Sequence, residues 1–372
     1  MPAQRNTVIS ICKAIAIILM VAGHADAPWG IPGFVYPFHM PLFFITAGYF
    51  FSYKYLADPW PFIGKRIRGL YFPFLKWSVF FLIVHNLAFS VGLLNEQYGN
   101  WTGGVTHPYT LEMAVRRLIL MVTSMSGYDE FLAGAFWFFR GLLVASIVFL
   151  LLYKLLDSRL KLAPQWSLLA ICGLMVAFTA VHIGIGMRIT TIPNGAWRET
   201  WGVFFFSAGV LYRRYEERIP QHWALTLFYF LFMCMAAYFG FSGMNNKGLW
   251  RDLWTLPLTG CFGFLMTKHV ASLIDRREGR LRNLMVFIGD NTLYIFIFHI
   301  ISFKVVSALK IMWYDMDWGQ IGCHMVIHEH NDDLFFFLYC IVGVGLPLLW
   351  LWGYRTLKSR LRAQLEAAAV PD

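Results

Sequence analysis

Apolar residues run along this chain in blocks of the length that crosses a bilayer, separated by shorter polar segments. A hydrocarbon core of about 30 Å takes roughly 20 residues of helix. Ten such blocks fall near residues 7–26, 33–53, 73–95, 135–156, 165–183, 199–213, 223–241, 252–268, 285–306 and 333–354. The sixth is short and the eighth carries Pro257. The pattern predicts an all-α polytopic membrane protein of about ten transmembrane helices. No internal repeat, low-complexity tract or flexible linker divides it, so residues 1–372 read as one integral membrane domain without an appended soluble domain.

Two segments between blocks are long. Residues 96–134 contain turn formers and then "LEMAVRRLILMVTSM", whose apolar spacing predicts a helix lying at the membrane interface. Residues 307–332 mix aromatics, acids and histidines. Either segment could close over an acceptor or serve as a passive cover.

Charge gives a check independent of hydropathy. Most of the 31 Lys and Arg collect on the side that holds the N-terminus if the blocks alternate in direction. The other side holds Arg116, Arg117, Arg188, Arg198, Lys247, Arg251 and Lys310, and Lys13, Arg140 and Lys304 fall inside spans. Because cations favour the cytoplasmic side, both termini are expected there, in a bacterial cytoplasmic membrane. Composition agrees: the chain is 58% hydrophobic and only 14% charged, far from an ordinary soluble domain. The net charge of +10 is accounted for by this asymmetry and by anionic lipid, so no nucleic-acid partner is inferred. Helix faces alone do not separate lipid contacts from subunit contacts, so no oligomeric state follows.

Arg5, an apolar run and "ADA" at 25–27 imitate a signal peptide. The tight "PWGIPG" turn instead pairs the first two blocks as a hairpin, and we expect the first to be retained. Five of the six cysteines fall in predicted spans, and no disulfide framework is visible.

Ionisable groups inside spans are costly and raise a functional hypothesis. Lys13 and His24 are 11 residues apart, which leaves them about 20° apart around a helix and roughly 16 Å apart along it. One face thus carries a cation inward and an imidazole outward, although a snorkelling lysine and an interfacial histidine would look alike. In the second block His39 returns to a similar depth, bracketed by Pro37 and Pro41, whose freed carbonyls suit a lined cavity. The loop "GKRIRGLYFPF" offers Lys65, Arg66 and Arg68, suited to phosphates or simply to the inner surface. Arg140, with Trp137 nearby, lies about one turn inside the outer boundary of the fourth block and suits a sugar ring, a phosphate or headgroups. His299 lies on the outward half of the ninth block, after Asp290 and Asn291, and is either packed or cavity-facing. Lys304 reads most simply as a snorkelling anchor.

Taken together, "KAIAIILMVAGHA", "FHMPLFFITAGYFF", "GKRIRGLYFPF", "AFWFFRGLLVASI", "FFFSAGVLYRRY" and "NTLYIFIFH", in this order between residues 13 and 299, resemble the membrane-bound acyltransferase family 3, most closely its fucose 4-O-acetylase-like branch. The resemblance implies an acyltransferase moving an acyl group, commonly acetyl, from cytoplasmic acyl-coenzyme A to a hydroxyl of a carbohydrate or lipid-linked glycan on the outer side. It places the catalytic histidine at His24. Its first-span arginine falls on Lys13, which keeps the charge and loses bidentate pairing. Its arginine pair after the second span falls on Arg66 and Arg68, implying contact with coenzyme A.

In this reading His24 is the general base, Lys13, Lys65, Arg66 and Arg68 hold the donor, and the pantetheine arm crosses the bundle. His39 assists His24 or the acceptor, while Trp137, Arg140, Asn291 and His299 contact the acceptor. No metal is expected, although "CHMVIHEH" in the last outer loop contains zinc-ligand residue types. The rival is a secondary transporter in which His24, His39, Arg140 and His299 form a substrate or proton pathway. The first hairpin has no convincing second copy, as a transporter's inverted repeat would have.

Overall fold

The computed structural model describes residues 6–28, 30–99, 106–186, 193–245, 248–330 and 332–368. Arg5, Trp29, Arg188 and Lys247 lie outside the described residues, as do parts of the 96–134 segment and of the C-terminal tail. The helices are α1 (Thr7–His24), α2 (Ile31–Val35), α3 (His39–Tyr49), α4 (Trp60–Arg66), α5 (Phe72–Ser90), α6 (Leu111–Ser124), α7 (Trp137–Leu160), α8 (Pro164–Gly184), α9 (Trp197–Tyr215), α10 (Trp223–Tyr238), α11 (Asp252–Asp275), α12 (Arg280–Asp290), α13 (Thr292–Tyr314) and α14 (Phe335–Ala368), with single turns between some of them. Among the described residues, six stretches are long and apolar enough to cross a membrane: Thr7–His24, Trp60–Ser90, Gly134–Leu160, Pro164–Gly184, Thr292–Tyr314 and Phe335–Arg362. The other expected blocks are also helical, but shorter or more polar. α9 begins with Arg198 and Glu199 and ends with Arg213 and Arg214, yet its middle is buried against α3, α7 and α8. A helix wrapped in protein need not present an apolar face to lipid.

α1 is the centre of the bundle. Asn6 caps it by accepting from the Ile9 amide at 3.1 Å, and buried residues such as Ile9, Cys12, Ala14, Ala16, Met20 and Val21 occupy all its faces. Small side chains let neighbours approach closely, and α1 touches α3, α11, α12, α13 and α14. The end of the bundle from which α1 starts is called the inner end, after the sidedness expected from the charge pattern.

Three sequence expectations need correction. "GKRIRGLY" is helix, not loop: α4 runs through a π-helical turn, Ile67–Tyr71, into α5, so Arg68 stands on a helical wall. The ninth block does not run from 285 to 306. It breaks after Asp290, which accepts from Ser10 Oγ at 2.9 Å, and α13 continues to Tyr314. His299 therefore sits about 10 Å from the inner start of α13, with the longer part of the helix beyond it, rather than on its outward half.

The third correction concerns Lys304, which does not snorkel. It is buried, and its ammonium donates to the Ile321 and Cys323 carbonyls at 2.7 and 2.6 Å. One turn or two further on, Lys310 donates to the Ile327 and His330 carbonyls at 3.3 and 3.0 Å. These two lysines clip residues 321–330 against α13 and form a cap over the outer end. The 96–134 segment joins this side through a buried pair of His85 and Asp129, with Tyr109 stacked on the imidazole at 3.6 Å. α6, capped by Thr110, forms as expected and leaves Leu111, Val115 and Ile119 exposed, which suits an interfacial helix.

Candidate functional site

A chamber of about 580 Å³ opens where α1 ends. Its walls come from Met20, Gly23 and His24 of α1, Tyr36, His39 and Met40 around the start of α3, Trp137, Phe296, residues 240–245, and His324, Met325 and His328 of the cap. Among the described lining residues there is no lysine or arginine. Asp26 and Met325 both line the chamber with φ near +54° and +59°. Left-handed backbone is costly for such residues and clusters where surrounding structure enforces a site.

Gly23 explains the residue beside His24. Tyr36 donates its hydroxyl proton to the Gly23 carbonyl at 2.7 Å, and a Cβ on Gly23 would lie 2.8 Å from the Tyr36 ring. Only glycine admits that ring, which ties α1 to the approach of α3 at the level of the histidine.

The hydrogen bonding of His299 fixes the tautomer of His24. His299 Nδ1 faces the Ile295 and Phe296 carbonyls at 3.1 and 3.0 Å. Carbonyls only accept, so Nδ1 carries the proton and, in a neutral ring, Nε2 carries the lone pair. His299 Nε2 lies 2.9 Å from His24 Nδ1, with the rings stacked at 5.1 Å. His24 Nδ1 is therefore the donor and His24 Nε2 the acceptor. His39 is set in the same sense: its Nδ1 donates to the Val35 carbonyl at 3.0 Å, which leaves Nε2 as an acceptor. Two imidazoles on one chamber wall thus offer acceptor nitrogens.

The other sequence candidates fall in three places. Trp137 lines the chamber, and the Arg198 guanidinium lies 4.5 Å over its ring. Arg140 is buried behind it and donates from Nε to Glu199 at 2.8 Å, without lining the chamber. Asn291 is at the inner break, where Arg355 donates to its side-chain oxygen at 2.9 Å. Lys13 is half-buried on α1, whose unbroken helix preserves the ~16 Å rise to His24. Lys65 donates to Tyr55 at 3.1 Å, Arg66 packs over Phe62 and Phe206, and Arg68 borders an open inner groove with Lys76 and Trp77.

The cap histidines and acids are separately engaged. His328 contacts Asp26 at 2.7 Å, Glu329 accepts from Gln320 at 3.1 Å, and His330 stacks on Tyr314 at 4.2 Å. Among the described residues no three potential ligands converge on a metal position. Sequence reasoning missed Tyr36, Asp26, His324 and His328 as residues that share the chamber with His24. Only Asp26, two residues beyond His24, carried a local signal.

The fold and site define a helical membrane protein with a histidine-lined chamber enclosed within its bundle. The acyltransferase 3 family, described as an acyltransferase domain, matches residues 6–355, and the chain belongs to that family. Comparison with curated proteins and with solved structures gives no significant match. Family membership implies membrane acyl transfer from an acyl donor.

Proposed function

We propose that the chain is an O-acyltransferase that moves an acyl group, acetyl by the family likeness, from cytoplasmic acyl-coenzyme A to a hydroxyl of a carbohydrate or lipid-linked glycan on the outer side of a bacterial cytoplasmic membrane. The observation that carries this reading is the His24–His299 contact, because it leaves the His24 Nε2 lone pair available to the chamber. A sugar hydroxyl bound there gives its proton to His24 Nε2 as its oxygen attacks the thioester carbon. The tetrahedral intermediate collapses, the carbon–sulfur bond breaks, and the leaving thiolate takes the proton back from His24. His299 accepts from His24 Nδ1 throughout and so stabilises the imidazolium. General base catalysis of this kind contributes typically about 10²–10⁴ in rate.

His39 Nε2 is a second acceptor, suited to a neighbouring hydroxyl of the same ligand. A chamber with acceptor nitrogens and without lysine or arginine among its described lining favours a neutral polyhydroxyl group over an anion. At the inner end, Arg68 with Lys13, Lys65, Arg66 and Lys76 supplies positive charge for the donor's phosphates, with both termini cytoplasmic. Arg140, held by Glu199, supports the wall behind Trp137, and Asn291 shapes the break that sets the start of α13.

The test is transfer from radiolabelled acetyl-coenzyme A by purified protein in lipid vesicles. His24→Ala is expected to lose about 10²–10⁴ in turnover while still binding coenzyme A. Wild-type turnover by that variant would remove His24 as the base. Solute counterflow without any donor turnover would instead make the chamber a transport site.

A further inference from the structure

Below the chamber lies a smaller cavity of about 90 Å³, bordered by Ile17, Phe43, Leu70, Phe139, Thr292 and Leu293. Three further residues, Met20, Met40 and Phe296, border both this cavity and the chamber. Leu293 is in turn shared with the open inner groove of about 760 Å³ that holds Arg68, Lys76, Trp77 and Tyr294. Three volumes therefore stand in a row from the inner surface to His24, and two buried methionines and a phenylalanine separate the last two.

We propose that Met20, Met40 and Phe296 form a gate through which the donor's acyl thioester reaches His24 from the inner groove, and that this gate limits the size of the acyl group. The proposal rests on the acyl-transfer reading above. The smaller cavity's 90 Å³ compares with about 580 Å³ in the chamber and 760 Å³ in the groove, so it is the narrow point of the row. The partition has to widen for the donor's arm to pass.

The residue types divide this task. Methionine has three rotatable bonds and repacks at small cost, so Met20 and Met40 are the moving parts. Phe296 is fixed: its ring stacks on Phe136 at 5.9 Å and meets Phe138 and Phe139 at 5.8 and 5.3 Å. It forms the rigid wall against which the opening is measured. Apart from Thr292, the side chains around the small cavity are apolar, which keeps water from a thioester in transit.

The experiment compares acetyl- and butyryl-coenzyme A as donors in vesicles, after wild-type turnover with acetyl-coenzyme A has been established. Phe296→Ala removes the fixed wall and is expected to raise the butyryl-to-acetyl ratio of kcat/KM at least about tenfold, the order of discrimination a methylene or two commands in an apolar pocket. Leu70→Trp lines the small cavity and not the chamber; it is expected to cut acetyl turnover about 100-fold while coenzyme A affinity stays within about twofold.

A folded Phe296→Ala protein with the wild-type ratio, or a folded Leu70→Trp protein with wild-type turnover, overturns the gate. So does a change confined to the acceptor's KM, which would assign the three shared residues to the chamber alone. If Phe296→Ala does not fold, Met40→Ala gives the same readout on the movable side. Failure of the wild-type protein to turn over any acyl-coenzyme A defeats the acyl-transfer reading itself and is seen before any variant is made.

Discussion

The proton on His299 Nδ1 is held by two carbonyls of its own helix, and this local bond sets the tautomer of His24 on another helix. His299 touches no chamber space, so it is a positioning residue. Replacing it separates orientation from bulk. His299→Gln offers a side-chain oxygen to His24 Nδ1, whereas His299→Phe offers none. A hydrogen bond to a group that becomes charged is worth about 1.5–3 kcal/mol, roughly 10–150-fold in rate. We expect His299→Phe to lose kcat by that factor with acceptor KM little changed, and His299→Gln to recover much of it. Equal loss in both, with KM raised, would show that the residue serves packing alone. At this scale the sequence was half legible. Lys13 and His24 share one helix, so their spacing followed from the helical rise. His24 and His299 are 275 positions apart, and no local periodicity brings such a pair together. His299 read equally well as packed or cavity-facing because it is packed against the residue that faces the cavity.

Among the elements, the crossing of α3 and α9 depends on reciprocal glycines. A Cβ on Gly48 would collide with the Phe206 carbonyl, and one on Gly209 with the Ile45 carbonyl. Backbone cannot swing aside as a side chain can. Gly209→Ala is therefore expected to destabilise the protein by about 1–3 kcal/mol, read as a lower thermal midpoint in detergent, whereas Gly173→Ala on α8, where a Cβ meets nothing within 4 Å, should leave that midpoint near wild type. Comparable midpoints for the two variants would show that the helices part easily. This pairing is not legible in the sequence, because Gly48 and Gly209 lie on different helices. The ninth block was misplaced for a similar reason. Apolar residues continue across Asp290 and Asn291, and the break is enforced from outside by Ser10 and Arg355. α9 was legible as a short block only; its charged ends are tolerated because Glu199 meets Arg140 and Arg213 donates to the Tyr49 carbonyl at 3.1 Å.

For the molecule as a whole, the cap closes one side of the chamber, and in the acyl-transfer proposal an acceptor has to pass it to reach His24. His324 borders the chamber from the cap, and burial pushes its imidazole below the usual 6.5, although the Glu130 carbonyl opposes this; Lys304 and His328 add to the lowering, and Asp129 opposes it. When the cap opens, the group returns to its ordinary value and binds a proton more readily. The stability that His324 gives the closed cap is thus intact above about pH 6.5 and falls away as pH drops through that value toward the lower closed-state one. Hydrogen exchange of residues 321–328 should accelerate severalfold between about pH 7.5 and 5.5, after correction for intrinsic exchange, and His324→Gln should flatten that rise. An unchanged slope in His324→Gln would show that His324 does not set it.

The 275-residue separation between His24 and His299 also has a meaning in time. A ribosome adding about 5–20 residues per second finishes His24 roughly 15–55 s before it reaches His299. Until residue 299 is added, nothing on the chain supplies the acceptor that leaves His24 Nε2 with the lone pair.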